Sequence, residues 1–242
     1  KPLARLVPPA GDPHTDGDLH PRDAASAAPS SRRGCPLEPG KDLLVGQSAP
    51  IRQLRTYLMR VAQSSANVFV VGETGTGKEC VARFIHENSQ RQSRALVSIN
   101  CAAIPDGLLE SELFGYERGA FTGASTAYAG QFRRAQGGTL FLDELGEMST
   151  TAQAKLLRVL ENREVMPLGG RREVPLDVRV IVATSTPPEQ MLDARRLRPD
   201  LYYRLDVARV SVPPLRERRE DAAELFEFFL RRFLPPGQRV PR

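Results

Sequence analysis

Two hydrophobic spacings alternate along most of the chain and divide it into predicted helices and strands. One face of residues 48–62 carries four apolar side chains at helical spacing: Ile51, Leu54, Leu58 and Val61. Residues 67–71 instead form a short, β-branched apolar run ended by Gly72, which is typical of a buried strand. The same criteria predict helices over 77–87, 150–161 and 219–233, and strands over 96–99, 138–143, 177–184 and 207–212. Thr150 and Gln153 have the spacing of a capping box.

Strands that alternate with helices predict right-handed βαβ units, and therefore an α/β fold with a mostly parallel sheet flanked by helices. In such sheets, ligands bind outside the carboxyl ends of the strands. Four residues fall at predicted strand ends: Gly72, Asn100, Asp143 and Ser185. We therefore expect a single functional site at this edge of the sheet.

The first 40 residues differ in composition from the rest of the chain. They hold 8 of the 20 prolines and show no hydrophobic period, which predicts a disordered tail or linker over residues 1–40. The rest divides into an α/β domain over residues 41–218 and a final segment over residues 219–242.

Composition also limits the location and the partners of the protein. No apolar run approaches the roughly 18 residues of a membrane span, and the N-terminus lacks the order of a signal peptide. Three cysteines without CxxC spacing favour a reducing, cytoplasmic location. The net charge of +5 is compatible with nucleic acid, but arginines that bind phosphates and neighbouring subunits are the favoured explanation.

A segment between the first predicted strand and the next helix has the sequence of a phosphate-binding loop. It comprises Gly72, Glu73, Thr74, Gly75, Thr76, Gly77 and Lys78. Glycines let backbone N–H groups point at phosphate oxygens, the helix N-terminus adds partial positive charge, and Lys78 reaches the β- and γ-phosphates. The loop predicts ATP binding; the alternative is a plain glycine-rich turn. Glu79 replaces the usual Ser or Thr ligand of Mg²⁺, so other groups, or Glu79 directly or through water, must hold the metal.

A second acidic motif ends the predicted strand over residues 138–143. The run Leu140–Phe–Leu–Asp143–Glu144 is a Walker B arrangement, an apolar strand that ends in two carboxylates. We expect Asp143 to hold Mg²⁺, directly or through water, and Glu144 to orient the attacking water. The alternative is a solvated carboxylate pair at a strand end.

These motifs, together with a third one, resemble a specific family. Residues 112–124 read ELFGYERGAFTGA, and the last six form an intact GAFTGA motif: Gly119, Ala120, Phe121, Thr122, Gly123 and Ala124. From about residue 43 to 233, the chain resembles the AAA+ ATPase domain of bacterial sigma-54-dependent transcriptional activators. Supporting stretches are GGTLFLDELGEM at 137–148 and LYYRLDVARVSVPPLRERREDA at 201–222.

The resemblance implies cofactors and partners. It implies ATP and Mg²⁺ as cofactors, and sigma-54 and the RNA polymerase holoenzyme as partners. It implies a homo-oligomeric ring, a hexamer, and DNA contact through a helix-turn-helix domain that this chain lacks. Residues 219–242 match only the start of the family's small helical lid.

The resemblance also implies residue roles. Residues 119–124 would contact sigma-54, and Asn100 would hold Glu144 away from water until that loop engages. Arg198 and Arg204 would reach the γ-phosphate of a neighbouring subunit. Val45 and Gly46 would lie near adenine, and Thr184 and Ser185 would sense the γ-phosphate.

Three positions depart from the family pattern. Ser185 replaces a sensor asparagine, Pro167 replaces a common arginine, and Tyr116 replaces a common histidine. The favoured function is an ATPase that remodels sigma-54 RNA polymerase so that promoter DNA opens. The alternatives are a nucleotide-binding regulator with little hydrolysis, because the lid is incomplete, and a generic AAA+ helicase loader or chaperone.

Overall fold

Five parallel strands form the central sheet in the computed structural model of the chain, which describes residues 43–233. The strands are β1 (Val68–Val71), β2 (Leu96–Asn100), β3 (Thr139–Asp143), β6 (Arg179–Thr184) and β7 (Ala208–Ser211), in the order β2-β3-β6-β1-β7. Two short strands, β4 (Glu164–Val165) and β5 (Val174–Pro175), form a separate antiparallel pair. The predicted parallel α/β sheet is confirmed.

Eight helices accompany these strands. They are α1 (Ala49–Gln63), α2 (Lys78–Glu87), α3 (Asp106–Phe114), α4 (Gly130–Arg134), α5 (Thr150–Asn162), α6 (Pro188–Asp193), α7 (Pro199–Leu205) and α8 (Ala222–Phe233) in the described residues. The sequence pattern missed α3, α4, α6 and α7. Three of these span only five to seven residues, too few for a period to show, and α3 leaves Leu108 more than half exposed among its buried leucines.

Each face of the sheet packs against its own group of helices. Val68 and Val70 of β1 join the hydrophobic cluster of α1 and α2, whereas Phe69 joins the cluster of α3, α5 and α7. Strand β3 divides in the same way, because Phe141 and its neighbours point to opposite faces. Burial on both faces explains why the inner strands β1, β3 and β6 are mostly apolar without alternation.

The capping box predicted at Thr150 and Gln153 is wrong, because the N-cap lies one residue earlier, at Ser149. Ser149 is the N-cap of α5, and its hydroxyl accepts a hydrogen bond from the N–H of Ala152 at 3.2 Å. The Gln153 side chain does not cap the helix, because its amide is fully buried and bonded to the carbonyls of Met148 and Arg196. The cap is therefore a single serine bond instead of a reciprocal pair.

Some predicted segments lie outside the described residues. These are the tail over residues 1–40 and the end of the final segment over residues 234–242. The predicted helix over 219–233 begins with a 3₁₀ turn, Arg219–Asp221, and continues as α8. Within residues 43–233, no helix is both long enough and apolar enough to span a membrane.

Candidate functional site

The predicted strand-end residues come together at one edge of the sheet. The parallel register places Asn100 of β2 beside Asp143 of β3, and Val71 of β1 beside Thr184 of β6. Gly72 and Ser185 follow these last two residues directly, so the phosphate loop and the carboxylates share one edge. This arrangement follows from the parallel sheet, which gathers the carboxyl ends of its strands.

The loop over residues 72–78 has the backbone that a phosphate cradle requires. Gly75 and Gly77 have φ angles of +82° and +96°, which residues with a Cβ rarely adopt. A Cβ at Gly75 would meet no atom within 4 Å, so this side of the loop is open. Lys78 begins α2, is only 6% exposed, and donates to the carbonyl of Gly72 at 3.0 Å. The loop therefore fits an oxyanion at the N-terminus of α2.

Lys78 and Ser185 together hold the Glu144 carboxylate. Oε1 of Glu144 lies 3.2 Å from Nζ of Lys78. Oε2 accepts two hydrogen bonds from Ser185, one from its N–H at 3.0 Å and one from its hydroxyl at 2.8 Å. Burial raises the pKa of Glu144, but these hydrogen bonds and the charge of Lys78 outweigh burial and leave the pKa below its ordinary value.

Asp143 lies beside this carboxylate in a contrasting environment. Its Oδ1 accepts a hydrogen bond from the N–H of Glu144 at 3.1 Å. Burial raises the pKa of Asp143, and the charges of Glu144 and Glu79 add to this effect, while Lys78 opposes it. The site is therefore short of positive charge, which suits a divalent cation.

A metal here would need oxygen ligands from a bound nucleotide. In the described part of the chain, no cluster of three or more His, Cys, Asp or Glu side chains could hold a metal alone. Mg²⁺ is commonly bound by one or two carboxylates together with substrate phosphates, and Asp143 beside the phosphate loop fits that pattern. Glu79 is close enough to influence Asp143, but one of its carboxylate oxygens lies 3.8 Å from Arg83.

The hydrogen bond expected between Asn100 and Glu144 is not formed among the described residues. The side-chain oxygen of Asn100 instead accepts the N–H of Ala102 at 2.9 Å and caps the 3₁₀ turn that follows β2. Ser185 takes the place of Asn100 at the carboxylate. This contact was not predicted from the sequence, where Ser185 was expected only to sense the γ-phosphate in place of an asparagine.

A cavity of about 670 Å³ adjoins the phosphate loop. It is lined by residues 43–45, 73–77, 214–216 and 218 and by one side of α8, including Phe226 and Phe229. Arg216 clamps the mouth of this cavity, because its guanidinium donates to both carboxylate oxygens of Glu73 in the phosphate loop. The volume and its position beside the loop suit the base and ribose of a nucleotide.

Asp221 fixes the predicted adenine segment to the start of α8. Its buried carboxylate accepts hydrogen bonds from the N–H groups of Gln47 and Ser48, both at 2.8 Å, and from the Ser48 hydroxyl at 2.6 Å. Gly46 has a φ of +130°, and a Cβ there would lie 2.5 Å from Cγ of Asp221. Val45 and Gly46 are both buried beside this contact. No local sequence signal marks Asp221, since its partners lie more than 170 residues earlier.

The GAFTGA segment forms a closed loop between α3 and α4. The N–H of Gly119 donates to the carbonyl of Ala124 at 2.9 Å, and Gly119 and Gly123 have φ angles of +82° and +103°. Phe121 is 45% exposed, and its ring centroid lies 5.0 Å from that of Tyr116. Tyr116 therefore supports the exposed aromatic side chain from below.

The loop between β4 and β5 is bonded to the base of the GAFTGA loop through its backbone. Leu168 donates its N–H to the carbonyl of Gly115 at 2.9 Å and accepts from the N–H of Glu117 at 3.0 Å. A Cβ at Gly169 would lie 2.8 Å from Cβ of Ala120. Because main-chain groups make this connection, it is formed with proline at position 167.

The two arginines expected to act on a neighbour lie at the start and in the last turn of α7. Arg198 is the N-cap residue of α7, and its guanidinium forms two hydrogen bonds with Asp200, at 3.1 and 2.7 Å. Arg204 is exposed and donates to the carbonyl of Leu160 at 3.1 Å. Tyr203, between them along the helix, is 76% exposed.

Known proteins resemble the chain over this same region. A family profile described as the Sigma-54 interaction domain matches residues 44–211. The acetoin dehydrogenase operon transcriptional activator AcoR of Bacillus subtilis (strain 168) is 48% identical over 195 residues, or 80% of this chain and 32% of AcoR. A Nif-specific regulatory protein of Klebsiella oxytoca is 49% identical over 212 residues, or 88% of this chain and 40% of that protein.

A solved structure agrees with these relatives. The crystal structure of NtrX from Brucella abortus in complex with ATP superposes with a TM-score of 0.73 at 40% identity, covering 78% of this chain and 41% of that chain. The chain thus spans about a third to two fifths of the length of these matched proteins. Since the profile covers well over half of the chain and the P-loop AAA+ architecture is present, the chain belongs to the Sigma-54 interaction domain family of transcriptional activators.

Proposed function

We propose that the protein hydrolyses ATP and uses the energy to remodel sigma-54 RNA polymerase so that promoter DNA opens. The observation that carries the proposal is the position of Glu144, whose carboxylate lies 3.2 Å from the phosphate-loop lysine, Lys78. A carboxylate beside the γ-phosphate subsite is placed to orient a water for in-line attack. NtrX, a 40% identical protein, was crystallised with ATP, which supports nucleotide binding at this loop.

Each side chain at the strand edge has a defined task in hydrolysis. The loop amides and the N-terminus of α2 hold the phosphates, and Lys78 exchanges its contact with Glu144 for the β- and γ-phosphates. Asp143 would hold Mg²⁺, which would neutralise charge on the phosphates. Glu144, no longer paired with Lys78, polarises water; Asn100 would have to leave the N–H of Ala102 to regulate this step. Thr184 and Ser185 detect the γ-phosphate, and Ser185 also donates a hydroxyl hydrogen bond to Glu144.

The ring assembly supplies the remaining positive charge. Arg198 and Arg204 from one subunit act on the γ-phosphate bound to the next, within a ring of six. Arg198 must leave Asp200 to do so, and this exchange is favourable where a phosphate carries more charge than the carboxylate. A cation supplied in this way contributes about 10³–10⁵ in rate in related enzymes.

The GAFTGA loop is the surface that contacts sigma-54. Phe121 is partly exposed on a loop whose ends are closed by a backbone hydrogen bond, and Thr122 beside it is exposed. A rigidly based loop with an exposed aromatic tip is suited to protein contact. Changes in nucleotide state move this tip against the sigma factor within the polymerase holoenzyme.

Steady-state ATP hydrolysis measured over a range of protein concentrations tests the proposal, with Glu144→Ala as the matched inactive variant. We expect turnover that rises cooperatively with concentration and is lost in the variant. ATP binding without turnover would instead favour a nucleotide-binding regulator that acts with other subunits. A pull-down with sigma-54 in the presence and absence of nucleotide separates both from a general AAA+ loader, which would show no nucleotide-dependent contact.

A further inference from the structure

Gln153 in α5 is a fully buried amide that joins two segments of the site. Its Nε2 donates to the carbonyls of Met148 at 2.9 Å and Arg196 at 2.7 Å. Its Oε1 accepts the N–H of Arg198 at 3.0 Å. Both amide hydrogens and the amide oxygen are therefore bonded to backbone, which fixes the orientation of the side chain.

The bonded segments have distinct roles in the proposed reaction. Met148 ends the short turn that follows Glu144, and Arg198 carries the guanidinium offered to a neighbouring subunit. A second connection runs parallel to the first, because the Arg196 guanidinium donates to the carbonyl of Gly146 at 3.3 Å and to Glu147 at 2.6 Å. The turn after the Walker B strand and the segment before α7 are thus held together at two points.

The backbone and the side chain of Arg198 are held differently. Gln153 fixes the N–H of Arg198 from a buried position, whereas the Arg198 side chain is 40% exposed and paired with Asp200, two residues along. The base of the side chain is therefore held in place while its guanidinium can exchange Asp200 for another anion. This is the arrangement expected of a cation that must be presented accurately across an interface.

We propose that Gln153 is a positioning residue that fixes the position of Arg198 relative to the turn after Glu144. The position of the arginine that a subunit offers to its neighbour then depends on the nucleotide state of that subunit's own site. The inference rests on the proposed trans action of Arg198. It also states which subunit affects which: nucleotide bound in the site of one subunit affects hydrolysis in the next subunit through Met148, Gln153 and Arg198.

Mixed assemblies test this direction. Arg198→Ala subunits retain a complete nucleotide site but do not offer Arg198 to a neighbour, and Glu144→Ala subunits offer Arg198 but cannot hydrolyse. Mixing the two should restore hydrolysis that neither shows alone. The substitution Gln153→Met, which keeps the volume and removes the hydrogen bonds, is then added to one partner at a time, and ATP affinity and thermal midpoint are measured for each.

We expect about tenfold to a hundredfold less restored hydrolysis when Gln153→Met is in the arginine-donating subunit, as misplacement by about 1 Å can cost this much. The same substitution in the hydrolysing subunit should leave most of the restored rate. Equal losses in both placements would indicate a merely structural amide and overturn the proposal, as would no loss in either.

Two further results also test the role of Gln153: a failure of Gln153→Met to fold, and a failure of the reference pair to restore hydrolysis. If Gln153→Met does not fold, Arg196→Met removes the exposed parallel connection and should show the same donor-specific loss, to a smaller extent; equal effects in both subunits would again refute the role. If the reference pair without any change at Gln153 fails to restore hydrolysis, the trans action of Arg198 itself is wrong, and the inference falls with it.

Discussion

Ser185 donates its backbone N–H and its hydroxyl to the same oxygen, Oε2, of Glu144, at 3.0 and 2.8 Å. The other oxygen of that carboxylate contacts Lys78. A residue that replaces the family's sensor asparagine therefore contacts the carboxylate proposed to orient water. The residue proposed to sense γ-phosphate and the residue proposed to activate water are therefore directly bonded in this protein.

This contact predicts a pH effect. The hydrogen bonds from Ser185 stabilise the ionised form of Glu144 and hold its pKa below the ordinary value against the opposing effect of burial. Ser185→Ala removes the hydroxyl donor, so the pKa of Glu144 rises. We expect the acid limb of the kcat/KM profile, which reports the free enzyme, to move to higher pH.

Ser98→Ala is the matched control, because Ser98 is an exposed serine of β2. Its acid limb should coincide with that of the wild type. An acid limb that stays in place or moves to lower pH in Ser185→Ala would show that the hydroxyl does not stabilise the ionised carboxylate.

Asp221→Ala is predicted to weaken both folding and nucleotide binding. The buried carboxylate is the acceptor of three hydrogen bonds from Gln47 and Ser48. Its removal leaves these donors without their partner, so we expect the free energy of unfolding to fall by about 2–4 kcal/mol. The affinity for a fluorescent ATP analogue should fall as well, since the adenine segment loses its anchor.

Glu220→Ala, at the exposed neighbouring position, supplies the comparison for Asp221. Chemical denaturation and nucleotide titration of both variants check the prediction. Unchanged nucleotide affinity in a folded Asp221→Ala protein would separate the anchor from the nucleotide site and refute its proposed role there.

Tyr116 is predicted to restrain the tip of the GAFTGA loop. Its ring contacts that of Phe121 edge-on, with centroids 5.0 Å apart, and such pairs contribute about 0.5–1.5 kcal/mol. Tyr116→Leu should raise amide hydrogen exchange over residues 117–125, whereas Tyr116→Phe, which keeps the ring, should not. Identical exchange in the two variants would indicate that the backbone alone holds the loop.

His86 predicts a loss of stability in mild acid. The side chain is buried, and its Nδ1 lies 2.9 Å from the Thr139 hydroxyl. Burial lowers the pKa of His86, and the nearby charge of Arg179 adds to this, although a backbone hydrogen bond at Arg94 opposes both. The unfolded chain therefore binds this proton more readily than the folded protein does.

The contribution of neutral His86 is fully present above the unfolded pKa of about 6.5, and it is lost as the pH falls from there toward the lower folded pKa. Unfolding free energies measured by urea titration at several pH values should show this decline, and His86→Gln, which does not titrate, should reduce it. Equal slopes for the two proteins would contradict the prediction.

The sequence predicted the strand edge because its signals are local. Buried parallel strands are continuous apolar runs, and the residues at their carboxyl ends, such as Gly72 and Asp143, lie at one edge of the sheet. Lys78 was recognisable because its spacing from the glycines is fixed by the turn between strand and helix. None of these inferences required knowledge of a distant contact.

Several contacts that sequence reasoning missed join distant parts of the chain. Ser185 and Glu144 are 41 residues apart, and Asp221 is 173 residues from Ser48. Gln153 was interpreted as part of a helix cap because capping is a local pattern, whereas its actual partners lie on either side of α5. Side-chain bonds to backbone carbonyls and amides leave no periodic trace in the sequence.

The hydrogen bonds between Asp221 and the segment at Gln47 and Ser48 join residues that are synthesised far apart in time. The phosphate loop and the Walker B carboxylates are translated by residue 144, and Ser185 follows soon after. The segment predicted to lie near adenine cannot be bonded to Asp221 until that residue has been synthesised, nearly at the end of the described chain. The segments proposed to bind phosphate are therefore synthesised before the contact that fixes the segment proposed to lie near the base.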